Sequence, residues 1–183
     1  MAGLLMNYCA ECGTRLELRQ CKEEGLVPYC KACGAFRFPV FNAAISTVLI
    51  NRDKNKVLLI QQYGRTDNIL VAGYINKGES AEHALAREVM EEMGMTVVAY
   101  RFMKSEYYPG SNTLIFNYIS MADSQDLSGM TEEVDRAGWY SFEEGKRVIK
   151  PNSLAERFYH YFLKSTDNGR NISLLKADQT GAI

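Results

Sequence analysis

Gly73-Tyr-Ile-Asn-Lys-Gly78-Glu79-Ser80 leads into Ala81-Glu-His-Ala-Leu-Ala-Arg87-Glu88-Val89-Met90-Glu91-Glu92-Met93-Gly94-Met95, and this stretch decides how the chain is read. Ser80 is a favourable N-cap, and Glu82 complements the positive end of a first helical turn. Ala84, Leu85, Ala86, Val89, Met90 and Met93 suit a helix interior, and Gly94 suits its end. The segment predicts a helix over residues 80–93. Leu85, Val89 and Met93 recur every four residues as one apolar stripe. Glu88, Glu91 and Glu92 stand at i, i+3 and i+4 and share another face. Three like charges this close repel, and a hard cation such as Mg²⁺ or Mn²⁺ would neutralise them. For Glu91-Glu92 alone, a solvated acidic face is the simpler alternative. Gly73 and Gly78 allow the backbone to approach a bound group closely.

All five cysteines lie in the first 33 residues. Four form the pattern C-x2-C-x17-C-x2-C, with Cys9 and Cys12 in the first pair and Cys30 and Cys33 in the second. This spacing suits one structural zinc ion per chain, closed by four thiolates with no open position. Disulfides or unligated thiols are the alternatives. Gly13 and Gly34 follow the pairs and predict tight turns whose amides face the sulfurs. Cys21 reads as a bystander thiol. So small a ribbon would draw its folding energy from the metal.

The 183 residues are 46% apolar and 23% charged. These values exclude a largely disordered chain, a collagen-like fibre and a polytopic membrane protein. The net charge of −1 argues against a dedicated nucleic-acid binder. Residues 1–6 have no cationic start, and the apolar run at 43–50 is far too short to span a membrane. The expectation is a cytoplasmic protein with no membrane partner. Strands are predicted at 43–50, 56–62, 68–72, 96–103, 113–121 and 138–141, with a second helix at 153–163. The division expected is 1–38, 39–164 and a polar, loose tail at 165–183.

From Gly73 to Met95 the sequence reads G-x5-E-x7-R-E-U-x-E-E-x-G-U, where U is apolar. This resembles the Nudix box, the signature of Nudix hydrolases, which cleave a pyrophosphate bond in nucleoside diphosphate-linked substrates. The resemblance implies an α+β fold: a small zinc ribbon followed by a Nudix-type α/β/α sandwich with a mixed sheet. It implies that Glu88 and Glu92 hold catalytic Mg²⁺ or Mn²⁺, and that Glu91 shares the metal or acts as base on the attacking water. Arg87 would pair with a box carboxylate, Glu79 being one candidate, and orient it, and the Ala72 carbonyl would complete the metal shell.

A ribbon directly before such a domain looks like the NADH pyrophosphatase branch, which splits NADH or NAD into a nicotinamide mononucleotide and AMP. Some members remove NAD caps from RNA. Cys33-Gly34-Ala-Phe-Arg-Phe38-Pro39 is similar to the branch's C-G-x-x-x-Y-P, with Phe38 where a tyrosine stacks on a base. Joining the ribbon to the domain core is the alternative for Phe38. Val71-Ala72-Gly73-Tyr74 resembles its L-A-G-F, Glu133 its distal metal glutamate, and Asn152-Ser153-Leu154-Ala155 an element lining the nucleotide site.

Ser105-Glu106-Tyr107-Tyr108-Pro109-Gly110-Ser111 departs from the branch's S-Q-P-W-P-F-P-x-S. It is two residues shorter and loses the tryptophan. Tyr107 or Tyr108 would still stack on a ring, or the segment is an ordinary aromatic loop. Glu106 stands for glutamine and would disfavour a nearby phosphate. The branch's additional N-terminal domain is expected to be absent. A homodimer is expected by resemblance. The competing readings are a Nudix hydrolase for ADP-ribose, FAD or a nucleoside triphosphate, and a nucleotide or RNA sensor without catalysis.

Overall fold

The computed structural model describes residues 6–177. The chain divides into two compact units, Met1–Phe41 and Asn42–Ile183. The first holds three antiparallel strands in the order β1 (Glu17–Gln20), β2 (Leu26–Cys30) and β3 (Ala35–Phe36). Among its described residues only Cys9, Val27 and Cys30 are buried. That is no core. Gly13 and Gly34 adopt φ of +71° and +68°, and their amides donate to the Cys9 and Cys30 carbonyls at 2.9 Å each. The turns form as expected, and amides within them reach the sulfurs: the Cys33 amide lies 3.4 Å from Cys30 Sγ, and the Cys12 amide donates to Cys9 Sγ.

The second unit contains β4 (Asn42–Ile50), β5 (Lys56–Gln61), β6 (Val71–Tyr74), α1 (Ala81–Met93), β7 (Val97–Tyr108), β8 (Thr113–Ala122), β9 (Arg136–Ser141), α2 (Phe142–Val148), α3 (Leu154–Ser165) and β10 (Leu175–Lys176). The sheet runs β10-β7-β8-β4-β5-β9. β6 pairs with β4 beside β5. Among the described strands only β4 and β8 pair in parallel, so the sheet is mixed. β4 is central, and its half from Thr47 to Ile50 is fully buried. The two faces follow the alternation of side chains along a strand. On β5, Leu58 and Ile60 face the α1 side with Ile45, Leu49 and Val71. Val57 and Leu59 face the other side with Phe158, Tyr159 and Phe162 of α3. The result is the α/β/α sandwich expected.

α1 starts where Ser80 Oγ accepts the His83 amide at 3.1 Å, and it ends at left-handed Gly94. Leu85, Val89 and Met93 are fully buried, so the apolar stripe is the core face.

Three expectations need correction. Residues 105–108 belong to β7 rather than a loop, because their ladder with β8 continues to Tyr108↔Thr113. α2 was not expected. Gly145 at its centre lowers helix propensity, yet a Cβ there would come within 2.8 Å of Tyr159 Oη and Val57 Cγ1. A capping box of Ser141 and Glu144 supplies the start instead. The tail from 165 is not loose over its described part. Thr166 and Ile172 are buried, and Leu175–Lys176 pairs with Tyr100 and Ala99 of β7. Residues 178–183 of that expected tail lie outside the described residues.

Gly94 carries φ +65°, and a Cβ would meet the Gly129 carbonyl oxygen at 2.6 Å. Gly94→Ala is expected to cost about 2 kcal/mol in urea unfolding. An unchanged unfolding midpoint would contradict this reading of the α1 terminus.

Candidate active site

The turn after β6 and the helix α1 bring three of the box carboxylates around one guanidinium. Arg87 Nε donates to Glu79 Oε1 at 2.8 Å, and Nη2 donates to Glu79 Oε2 at 3.0 Å. Nη2 also reaches the Tyr74 carbonyl at 2.9 Å. Nη1 donates to Glu88 Oε1 and Glu91 Oε2, both at 2.8 Å. All three nitrogens are therefore engaged. The fork onto Glu79 is bidentate, the geometry that suits arginine and carboxylate best. It holds the Glu79 carboxyl below the usual range, helped by the Asn76 amide.

Gly73 lies under Glu88. A methyl group at position 73 would overlap the Glu88 carboxylate, so glycine is required there by contact. Burial raises the Glu88 carboxyl above its usual value, with Arg87 opposing. Glu92 lies deeper, 3% exposed. Its Oε1 accepts from Gln62 Nε2 at 2.8 Å. Its Oε2 is buried with no hydrogen-bond partner among the described residues. Burial pushes this carboxyl up to about 7, and the charges of Glu88, Glu133 and Glu91 add to the shift while Gln62 opposes it. A buried carboxylate oxygen left unpartnered is costly. A divalent cation meets that need, and hard oxygen donors suit Mg²⁺ or Mn²⁺. The residues present thus fit such an ion.

These groups face a cavity of 760 Å³ in the second unit. Ala72, Arg87, Glu88, Glu92 and Glu133 line it, as do Glu106, Tyr108, Ser111 and Ala155. Glu79, Glu91 and Tyr107 are not among the described lining residues. Glu79 and Glu91 instead brace Arg87. Tyr107 is turned away because successive strand residues point to opposite faces. Its hydroxyl donates to Asn112 Oδ1 at 2.7 Å. Of the two tyrosines proposed to stack, only Tyr108 meets the cavity. Phe38 belongs to the first unit and is exposed, so it is not a core residue there.

Glu106 is not a bare negative charge. Lys104 Nζ lies 3.0 Å from one oxygen, and Arg157 Nη2 bonds the other. The repulsion expected of it toward phosphate is therefore offset. Gln62 and Arg157 were missed from the sequence, as was Lys150, which lines the cavity and pairs with Asp67 at 2.8 Å. Arg157 stands two residues after Ala155, so the 152–155 match pointed to it. Gln62 ends an ordinary strand pattern and left no signal.

In the first unit the Sγ atoms of Cys9, Cys12, Cys30 and Cys33 all lie within 4.8 Å of one another. Cys9–Cys33, Cys12–Cys30 and Cys12–Cys33 are 3.9, 3.5 and 3.4 Å apart. Four thiolates about 2.3 Å from a tetrahedral zinc have sulfur–sulfur edges of about 3.8 Å. All five cysteines are free, which sets the disulfide alternative aside. Arg37 Nε donates to Cys9 Sγ at 3.2 Å and holds that thiol down to about 6, favouring the ligating thiolate.

A family model described as NUDIX domain matches residues 40–171. The chain belongs to the Nudix family. It is similar to an NAD-capped RNA hydrolase NudC of Shigella flexneri, 32% identical over 154 residues, covering 82% of this chain and 58% of the relative. The NudC of Escherichia coli strain K12/DH10B is 31% identical with the same coverage. The chain thus spans a little over half the length of these relatives. A Nudix hydrolase from Nitrosomonas europaea shares the fold, with a TM-score of 0.62, 21% identity and coverage of 88% and 90% of the two chains. Among the described residues no helix is long and apolar enough to cross a membrane.

The Glu92 shift gives a pH prediction. Its folded value lies above the ordinary carboxylate value, so its contribution favours folding at low pH. That contribution is lost as pH rises through about 7. Metal-free protein is expected to lose about 2 kcal/mol of stability between pH 5 and pH 8, and Glu92→Gln to flatten the profile. Parallel profiles in urea titrations would contradict the burial of an uncompensated charge.

Proposed function

We propose that this chain is a metal-dependent pyrophosphohydrolase that hydrolyses the diphosphate of a nucleoside diphosphate-linked substrate. NADH or NAD is the first choice, giving nicotinamide mononucleotide and AMP, and NAD-capped RNA is a larger version of the same chemistry. The observation that carries the reading is the unpartnered Glu92 Oε2, buried beside Glu88 and within the field of Glu133, in the wall of the cavity. The similarity to NAD-capped RNA hydrolases supports the choice of substrate.

Glu88, Glu92, Glu133 and the Ala72 carbonyl would hold Mg²⁺ or Mn²⁺. When bound, the ion supplies charge neutralisation on the phosphates and acidifies a water. Arg87 keeps Glu79, Glu88 and Glu91 in place. Water adds to one phosphorus, the bridging P–O bond breaks, and the water's proton passes to a carboxylate. Glu91 pairs with Arg87 and is not among the lining residues, so the acceptor belongs to Glu88, Glu92 or Glu133. Tyr108, Ser111, Ala155 and Arg157 line the same cavity as groups for the nucleotide. Cys9, Cys12, Cys30 and Cys33 would hold one structural zinc. A homodimer belongs to the same proposal and is read by sedimentation.

The test is product analysis with Mg²⁺ or Mn²⁺ on NADH, NAD, ADP-ribose, FAD and diadenosine polyphosphates. AMP and reduced nicotinamide mononucleotide are expected from NADH, reduced about a thousandfold in Glu92→Gln. Cleavage of another panel member alone would move the substrate. No cleavage at all would overturn the enzymatic reading in favour of a nucleotide sensor. Chelation of zinc is expected to lower the unfolding temperature, since the described residues of the first unit form no core. An unchanged temperature would count against structural zinc.

A further inference from the structure

Gln62-Tyr63-Gly64-Arg65 turns the chain after β5. The Arg65 amide donates to the Gln62 carbonyl at 3.2 Å. Both central residues are left-handed, Tyr63 at φ +60° and Gly64 at φ +66°. That places the segment with the type I′ turns, whose first central position suits asparagine, aspartate or glycine. A bulky aromatic residue there is strained. The turn is fixed on both sides. Gln62 is buried and clasps Glu92, and the Gly64 amide donates to Asp135 Oδ2 at 2.7 Å. The conformation is thus imposed on Tyr63 by its neighbours.

The side chain gains nothing in exchange inside the fold. It is 84% exposed, and among the described residues it makes no hydrogen bond or ring contact. Neither the turn nor the core calls for a tyrosine here. Yet the residue lines the cavity that holds Glu88 and Glu92. It also lines a smaller recess with Glu132, Glu133 and Asp135. An aromatic face that is strained, unpacked and set at the rim of a polar cavity is suited to a planar ligand.

We propose that Tyr63 is a substrate-binding residue whose ring forms a stacking platform for a planar heterocycle of the nucleotide substrate. The proposal rests on the nucleotide reading of the cavity. It does not depend on cleavage. The turn at 62–65 brings together a metal-side clasp, Gln62, and a ring-side platform, Tyr63. A substrate with its diphosphate at Glu88 and Glu92 would extend one of its rings toward the rim. Stacking of a base on an aromatic side chain tolerates different rings, because every base offers a π-face.

The variants are Tyr63→Asn, which removes the ring but suits the turn, and Tyr63→Phe, which restores the ring without the hydroxyl. Tyr63→Asn is expected to raise the unfolding temperature while raising KM for the cleaved dinucleotide about tenfold, with a smaller change in kcat. Tyr63→Phe is expected to recover the affinity. A lowered unfolding temperature with unchanged KM in Tyr63→Asn would make the tyrosine structural and overturn the proposal. A Phe variant as weak as the Asn variant would assign the effect to the hydroxyl and overturn stacking. Equilibrium titration of AMP and of nicotinamide mononucleotide separates the two sources of a ring, since only the stacked one loses affinity in Tyr63→Asn. These titrations need no catalysis. If the wild type cleaves nothing but binds one mononucleotide through Tyr63, hydrolysis fails and the platform stands. If neither mononucleotide binds the wild type, or both bind equally well to wild type and Tyr63→Asn, the platform is wrong.

Discussion

The Arg87 guanidinium commits all its nitrogens to Glu79, Glu88, Glu91 and the Tyr74 carbonyl, and so leaves Glu92 without a cation. This distribution of charge organises the second unit. The bidentate fork ties the 74–79 turn to the middle of α1. Glu88 is then seated on Gly73, where no side chain is tolerated. Glu92 is carried into the sheet, where Gln62 satisfies one oxygen and nothing among the described residues satisfies the other. At this site local structure, packing and electrostatics converge on the unpartnered Glu92 oxygen, a need that a divalent cation would meet.

The same logic distinguishes the two units. The second has apolar side chains on both faces of its sheet, from Leu58 and Ile60 on one side to Val57 and Leu59 on the other. It can bury a costly carboxylate because the rest of its interior is well packed. Among its described residues the first buries only two cysteines and Val27. A metal held by the four sulfurs would supply its order. The unit's sulfur spacing and the low Cys9 thiol value are consistent with that dependence.

Much of this was legible in the sequence, where spacing alone carries chemistry. The stripe of Leu85, Val89 and Met93 follows from helix periodicity, and the pairing of Arg87 with a box carboxylate was implied by the resemblance to the Nudix box. The cysteine cluster follows from its own spacing. Other features depend on neighbours that no local pattern shows. Tyr107 and Tyr108 look equivalent until the strand continues through them and separates their faces. Glu106 looks repulsive until Lys104 and Arg157 close on it. The helix around Gly145 is hidden by a glycine that Tyr159 and Val57 require. Ile172 and Leu175 look like tail residues until the core on the α3 side takes in Ile172 and the edge of β7 pairs with Leu175. Gln62 carries no signature, because its role exists only where Glu92 is buried against it.

The central claim is that the second unit contains a cation site built on the unpartnered oxygen of Glu92. The most direct measurement is titration of Mn²⁺ into zinc-loaded protein, followed by electron paramagnetic resonance of the free ion, in the wild type and in Glu92→Gln. The account predicts a saturable site in the wild type that is lost or greatly weakened in the variant. Equal Mn²⁺ binding by both proteins, or none by the wild type, would contradict it.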